Sequence, residues 1–477
     1  MSSKTVLVSG HFNVLHPGHL RLFRFAKECG TRLIVAVESD QLAGNAVYVS
    51  EQLRLEVVVS NAYVDEAFIN DEPVAHVIER LQPDIVVKGK EHEAKNNPET
   101  MALQKYGGKL LFSSGEAVFS SLDLIRREFK DLVPNSISLP IDYMARRGIE
   151  VSRLSQLLKQ FSELKVIVLG DLIVDEYITC QPLGMSQEDP TIVVTPIDTV
   201  KFIGGAGIVA AHAASLGAKV NLITVTGRDE SRDFSIQKLK NSKVEADLLI
   251  DSNRPTTLKQ RYRSKGKALL RVSHLHQGAI SAELQGIILK KLEGVLESAD
   301  LLVFSDFNYG VLPQSLVEGV LALAKKHAIF LAADSQSSSQ IGDVTRFKGM
   351  DIITPTEYEA RISTKNHEDG LVTLAELMRQ RSKAKNLLLK MGEEGLMVHA
   401  GRGSSGQFDT DQIFALNSYP KDASGAGDSL LITSAMAMSS GANIWEAACL
   451  GSLAAAIQVG RVGNIPLQRG ELHGELK

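Results

Sequence analysis

Two short stretches of the sequence combine residue types suited to phosphate chemistry. Residues 16–19 read HPGH, two imidazoles around a proline and a glycine. They lie between the apolar run VLVSG (6–10) and HLRLFRFAKECG (19–30), whose apolar residues have helical spacing. Residues 424–428 read SGAGD, small residues and then a carboxylate, just before the apolar LLITSAMAM (430–438). In the first stretch the free N–H groups of a helix start attract phosphate, and Gly10 and Gly18 let the backbone come close. His16 and His19 could donate hydrogen bonds to oxygens that gain charge during phosphoryl or nucleotidyl transfer. In the second stretch successive N–H groups would form an anion hole, and Asp428 could accept the proton of an attacking hydroxyl.

These residues need a scaffold, and the surrounding pattern supplies one. Short β-branched runs at 5–9, 32–37, 84–89 and 109–113 alternate with amphipathic stretches at 19–30 and 72–82. Such alternation predicts a parallel sheet covered on both faces, with its ligand loops at the carboxyl edge. The pattern stops near residue 130. Residues 131–145, DLVPNSISLPIDYMA, have two prolines and no periodicity and read as a connector, followed by a helix over 151–161. Alternation resumes with strands at 165–170, 220–227, 301–306, 328–334, 351–355 and 386–392, and a polar β-rich excursion occupies 175–202. The expectation is two tandem α/β domains: 1–130, then a linker and connecting helix over 131–160, then 161–477.

Composition narrows the function classes. A length of 477 residues with 44% hydrophobic and 23% charged residues is globular and too long for one ordinary core. The formal net charge of −4 gives no electrostatic case for nucleic acid. The basic run RYRSKGK (261–267) reads as a solvated loop. Three distant cysteines, Cys29, Cys180 and Cys449, fit neither a disulfide framework nor a thiolate metal site and suit a reducing cytoplasm. No segment reads as a signal peptide or a bilayer span, so the expected location is cytoplasmic, with no membrane partner.

The first region, over about 1–130, resembles the HxGH cytidylyltransferase-like nucleotidyltransferases. The likeness rests on GHFNVLHPGHLRLFRFAKECGTRLIVAVESD (10–40), then SEQLR, PDIVVKG and FSSLDLI in order. It implies a Rossmann-like domain in which His16 and His19 stabilise the transition state as a sugar or alcohol phosphate attacks a nucleotide α-phosphate. It further implies nucleotide contacts from Gly10, His11, Phe12, Gly18 and Lys88, a helix capped by Ser120 and Ser121 facing the phosphates, and a substrate contact at Arg54. Pyrophosphate would leave with Mg²⁺, the nucleotide being ATP or CTP. The chain departs from the pattern at Asn13, where an aspartate is usual, and in QLAGNAVYVS (41–50), which lacks the usual lysine.

The second region, over about 160–470, resembles ribokinase/PfkB-type sugar kinases. It carries VIVLGDLIVDEY (166–177), FIGGAGIVAAHAASLGA (202–218), SDFNYGVL (305–312), TPTEYEA (354–360) and LLLKMGEEG (387–395). The closest likeness is to the heptose-kinase half of the bifunctional enzymes of ADP-heptose synthesis, which place the kinase first; here it comes second. The resemblance implies Asp428 as general base and Gly425, Ala426 and Gly427 as the anion hole. It also implies Asp171, Asp175, Gly204 and Gly205 in the sugar pocket, Glu359 organising Mg²⁺, and Gly392 and Gly395 in an ATP loop. The 175–202 excursion would be the β lid, which in this family often pairs subunits, so a homo-oligomer is expected. Ile208 and Thr356 stand where asparagines are usual, and DSQSSSQ (334–340) replaces a stretch that commonly holds proline and lysine. The combined expectation is an ATP- and Mg²⁺-dependent kinase of a heptose-like sugar joined to a nucleotidyltransferase acting on a sugar 1-phosphate. Two alternatives stay open: a kinase fused to a nucleotide-binding module without turnover, and a nucleotide or sugar sensor.

Overall fold

The computed structural model describes residues 4–15, 17–43, 47, 49–89, 97–112, 137–189, 191–264, 267–337, 342–402 and 408–476. The chain forms two compact units, residues 1–134 with 364–376, and residues 135–363 with 377–477. Among the described residues no helix is long and apolar enough to cross a membrane.

In the first unit β1 (Thr5–Gly10), β2 (Arg32–Glu38), β3 (Glu66–Asn70), β4 (Ile85–Lys88) and β5 (Lys109–Phe112) form a parallel sheet in the order β3-β2-β1-β4-β5. Alternate residues of β1 face opposite ways. Val6 and Val8 join Phe12, Phe23 and Val35 in one core, while Leu7 joins Ile34, Val77 and Ile78 in the other. The near-continuous apolar runs follow from this two-sided burial. The order reverses direction at β1, so the β1 loop opens at the switch point of the sheet, where ligands bind in such folds.

The second unit continues with β6 (Lys165–Gly170), β7 (Leu172–Met185), β8 (Ile192–Gly205), β9 (Lys219–Thr226), β10 (Glu245–Ile250), β11 (Thr257–Ser264) and β12 (Lys267–His274). It then adds β13 (Leu301–Asp306), β14 (Phe330–Ser335), β15 (Ile352–Ile353), β16 (Asn386–Lys390), β17 (Leu396–Arg402) and β18 (Phe408–Ile413). Nine strands pair in the order β10-β9-β6-β13-β14-β15-β16-β17-β18, parallel as far as β16 and antiparallel beyond. A separate four-stranded sheet, β12-β11-β7-β8, forms the lid. The helices Ala426–Ser439 and Ile444–Val459 are apolar nearly all round and bury most of their residues, as helices enclosed by a core must.

Two readings of the sequence need correction. Residues 261–264 of the basic run are not a solvated loop: they end β11, which pairs with β7 over 257–263. Nor are residues 137–147 of the expected connector without regular structure, and the expected helix over 151–161 is present. The helices Ile141–Arg147 and Val151–Gln160 place Tyr143, Met144, Leu154, Leu157 and Leu158 in the core of the second unit, with Phe161 just beyond. A single proline conceals only the first of these helices in the sequence pattern. Pro140 precedes the first helix, where its missing N–H costs nothing.

A fragment 137–477 is therefore expected to unfold cooperatively, and a fragment 165–477 to aggregate or melt far lower. Each large apolar side chain that loses its burial contributes about 1.5–3 kcal/mol, and several are lost together. Thermal unfolding of the two fragments checks this; equal melting temperatures would contradict the packing described.

Two candidate active sites

In the first unit the β1 loop carries Gly10, His11 and Phe12. Phe12 has φ +50° and is buried, its ring meeting the His19 ring edge-on with centroids 5.1 Å apart. This fixes His19 in the first turn of the helix Pro17–Cys29, close to Gly18. His11 Nδ1 lies 2.9 Å from Glu38 Oε2; that hydrogen bond raises the imidazole's pKa and lowers the carboxyl's. His16, Ser120 and Ser121 lie outside the described residues.

Two predicted contacts of this unit are otherwise engaged. Arg54 is 1% exposed. Its guanidinium donates to the carbonyls of Val49 (2.8 Å), His11 (2.5 Å) and Glu38 (2.8 Å) and to Asp40 Oδ1 (2.7 Å). Arg54 thus ties the β1 loop to the end of β2, with its guanidinium buried. Lys88, at the end of β4, donates to the buried Glu99 carboxylate at 2.6 Å. Its charge is matched before any phosphate arrives.

In the second unit the SGAGD turn opens the helix Ala426–Ser439. Gly425 caps it with φ +76°, a conformation that suits glycine. The first hydrogen bond of the ladder runs from Ser429 N–H to Gly425 O, whereas Ala426 N–H turns back to Ala423 O at 3.3 Å. At the helix start the Ala426 N–H is thus partly engaged, which leaves the N–H groups of Gly427 and Asp428 as the candidate donors to an anion. Asp428 is buried and accepts from Gln336 Nε2 at 3.0 Å. Burial, reinforced by the neighbouring Asp334, pushes its pKa up to about 7, while Lys390 pulls the other way.

Asp334, near the end of β14, holds Lys390, at the end of β16, through both carboxylate oxygens at 3.1 and 2.9 Å. Burial pulls the Lys390 pKa down, but Asp334 and Glu359 outweigh it, and the ammonium stays charged. A methyl group at Gly427 would lie 3.3 Å from Lys390 Nζ. Glu359 accepts from the N–H groups of Ser337 (2.7 Å) and Thr356 (2.8 Å). Among the described residues no group of three or more His, Cys, Asp or Glu is arranged to hold a metal ion.

The lid supplies the opposite wall. Asp175 on β7 accepts from Arg261 Nη2 (3.2 Å) and from Asn464 Nδ2 (3.1 Å). A Cβ at Gly204 would lie 2.5 Å from the Asp175 carboxylate, so this strand end must be bare. Arg261 also donates to Ser424 beside the anion turn at 2.8 Å, and Tyr177 donates to Asp422 at 2.8 Å. Lys259, Arg261 and Arg263 alternate along β11. Lys259 stacks over Phe307 and Tyr309, and the two arginines over Tyr177.

Asp171 departs from expectation. Its carboxylate accepts three backbone N–H groups, from Phe307 (2.8 Å), Tyr309 (3.2 Å) and Val311 (3.2 Å), and shapes the loop after β13. Gly205 ends β8, and Gly392 and Gly395 bracket the turn from β16 into β17. Sequence reasoning missed Lys390, Asp334, Gln336, Arg261 and Asn464. Only one carried a usable signal, the lysine that ends the buried run NLLLK at the carboxyl edge of a parallel strand.

A large, mostly parallel sheet with helices on its faces, plus a small β lid against its anion turn, is the ribokinase-like architecture. Residues 164–469 match the pfkB family carbohydrate kinase, and the chain belongs to that family. Residues 7–107 match the cytidylyltransferase-like family, so that domain comes first in the chain. The chain is 30% identical over 322 residues to the bifunctional protein HldE of Desulfatibacillum aliphaticivorans, a match covering 66% of this chain and 64% of that one. It thus spans just under two-thirds of the length of the curated relatives it matches. Two solved structures share the fold. Escherichia coli phosphofructokinase-2 in complex with substrates and products has TM-score 0.54 at 15% identity, over 66% of this chain and 98% of that one. Arabidopsis thaliana ribokinase complexed with ribose and ATP has TM-score 0.52 at 19% identity, with the same coverage.

Asp428 is protonated in the folded chain up to about pH 7 and in the unfolded chain only below about 3.8. Stability contributed at low pH is therefore lost as the pH rises between those values. Asp428→Asn removes that penalty and should raise stability at pH 8 by roughly 1–3 kcal/mol, seen as a higher melting temperature. Arg54→Met leaves three loop carbonyls without their donor and should destabilise the first unit by about 1–3 kcal/mol. Hydrogen exchange in β1 and β2 reads that loss, and unchanged protection would contradict the tie.

Proposed function

We infer that the chain is a bifunctional enzyme of nucleotide-activated sugar synthesis. Its second unit phosphorylates a heptose-like sugar with ATP, and its first joins a sugar 1-phosphate to a nucleotide. The observation that carries this is Asp428, a buried carboxylate with pKa about 7 beside two helix-start N–H groups. A base poised near neutrality next to an anion hole suits transfer of a phosphoryl group to a hydroxyl.

In this reading Asp428 takes the proton of the sugar's anomeric hydroxyl as its oxygen attacks the γ-phosphorus. The bond to the β-phosphate oxygen breaks, and ADP leaves. The N–H groups of Gly427 and Asp428 meet the charge on the transferred group. Asp175, oriented by Arg261 and Asn464, accepts hydroxyls of the sugar, and Gly204 leaves room for the ring. Lys259, Arg261 and Arg263 line one lid strand with positive charge, which favours an anionic sugar phosphate over a neutral sugar. Glu359 offers no direct metal cage, because each of its oxygens already accepts a backbone N–H, but its remaining lone pairs suit a water-bridged Mg²⁺ arriving with ATP. That ion would supply charge neutralisation on the phosphates.

In the first unit the sugar 1-phosphate attacks the nucleotide α-phosphate and pyrophosphate leaves, with His16 and His19 donating to the phosphate oxygens. The product of the kinase is the substrate class this step consumes. A second reading, a nucleotide-binding module without turnover, draws on the pairing of Lys88 with Glu99. Lid pairing into a homo-oligomer is consistent with the exposed apolar residues Leu183, Met185, Ile192 and Ile197 on β7 and β8.

Asp428→Asn should lower sugar phosphorylation about 10²-fold or more, since the amide cannot accept the proton; phosphorus NMR of the sugar product measures it. His19→Ala should abolish pyrophosphate release and leave the kinase rate unchanged, as the residues lie in separate units. Pyrophosphate release is the assay, with sugar 1-phosphates and each NTP. No release by the wild type across the panel would select the binding-only reading of the first unit.

A further inference from the structure

Lys390 has no role in the mechanism given above, yet its position calls for one. It ends β16 at the carboxyl edge, and its backbone N–H donates to Pro355 O at 2.8 Å, so it stands beside the Thr356–Glu359 turn. Its side chain is 14% exposed and its Nζ contacts both oxygens of Asp334. An ammonium has three donors. Two are held by Asp334, which fixes the direction of the third. The nearest atoms to a methyl built on Gly427 are those of the Lys390 side chain, with Nζ at 3.3 Å. Nothing but the bare face of Gly427 separates this cation from the anion-facing turn.

We propose that Lys390 is a catalytic residue of the kinase: its ammonium, held by Asp334, contacts the phosphoryl group being transferred at the open face of Gly427. The proposal rests on the kinase reading of the second unit. A buried ion pair kept only for stability is weakly motivated, because replacing such a pair with apolar residues is often neutral or stabilising. A preorganised cation at the point where negative charge develops is strongly motivated. Gly427 then has a second purpose beyond its N–H, since any side chain there would displace the ammonium. Asp334 is a positioning residue. It fixes the lysine in the geometry that the transition state needs and keeps it charged despite burial.

The test uses the full chain and three variants: Lys390→Met, Lys390→Arg, and Lys390→Met combined with Asp334→Leu. The double variant leaves no unpaired buried carboxylate, so its fold is protected. Two readouts are needed, the rate of sugar phosphorylation and calorimetric binding of tripolyphosphate. The proposal expects both methionine variants to lose about 10²–10³-fold in kcat with KM for the sugar changed less than about threefold. It expects Lys390→Arg to retain more activity than Lys390→Met. It also expects tripolyphosphate to lose one binding site, or at least tenfold in affinity at one site, in the methionine variants. A double variant that folds and works at the wild-type rate would overturn it, the kinase reading remaining intact. If the wild type phosphorylates no sugar, the kinase reading fails and the binding readout decides alone. Loss of the tripolyphosphate site would then sustain Lys390 as the phosphate contact, and unchanged binding would overturn it.

Discussion

The constraint on which the kinase unit depends is a carboxylate kept out of water at the start of a buried helix. Asp428 cannot be solvated, so its charge must be managed by its neighbours. Gln336 donates to one oxygen, the helix start offers N–H groups, and Lys390 and Lys259 lower a pKa that burial and Asp334 raise. A carboxyl held near neutrality can exchange a proton with a hydroxyl, which a solvated aspartate would do poorly. The helix that Asp428 opens is itself buried over Asp428–Ala437, which keeps water from the carboxyl.

The lid answers the same constraint from the other side. Asp175, Arg261, Ser424 and Tyr177 form a connected polar wall in which donors and acceptors are matched across β7, β11 and the anion turn. This network adds hydrogen bonds between sheet, lid and helix start to the apolar packing of Leu172, Val174 and Ile203 in the core. Asn464, from the loop after the last long helix, donates to Asp175 and extends the wall to the C-terminal segment.

How legible all this was depended on the range of the interactions. Strands such as 165–170 and 301–306 announce themselves because burial on both faces demands continuous apolar runs. The SGAGD turn was readable because backbone conformation and the chemistry of its carboxylate are local. β11 was not, since its alternate residues Lys259, Arg261 and Arg263 face a site instead of a core and so look like a loop. Arg54 and Asp171 were identified as special but assigned to ligands, whereas the structure has them holding loop backbone. Sequence cannot reveal which carbonyls or amides lie within reach across 16 or 43 positions. The helix Ile141–Arg147 was obscured by Pro140 at its start, and the one signal for Lys390 was its place at the end of the buried run NLLLK.

The pH dependence of sugar phosphorylation tests the central claim most directly, because it reads the ionisation of Asp428 in the working protein. If a buried carboxyl with pKa about 7 is the base, kcat/KM should fall tenfold per pH unit below that value and level off above it. A rate that is flat between about pH 5 and 8, as expected for a base with an ordinary carboxyl pKa near 4, would contradict the account.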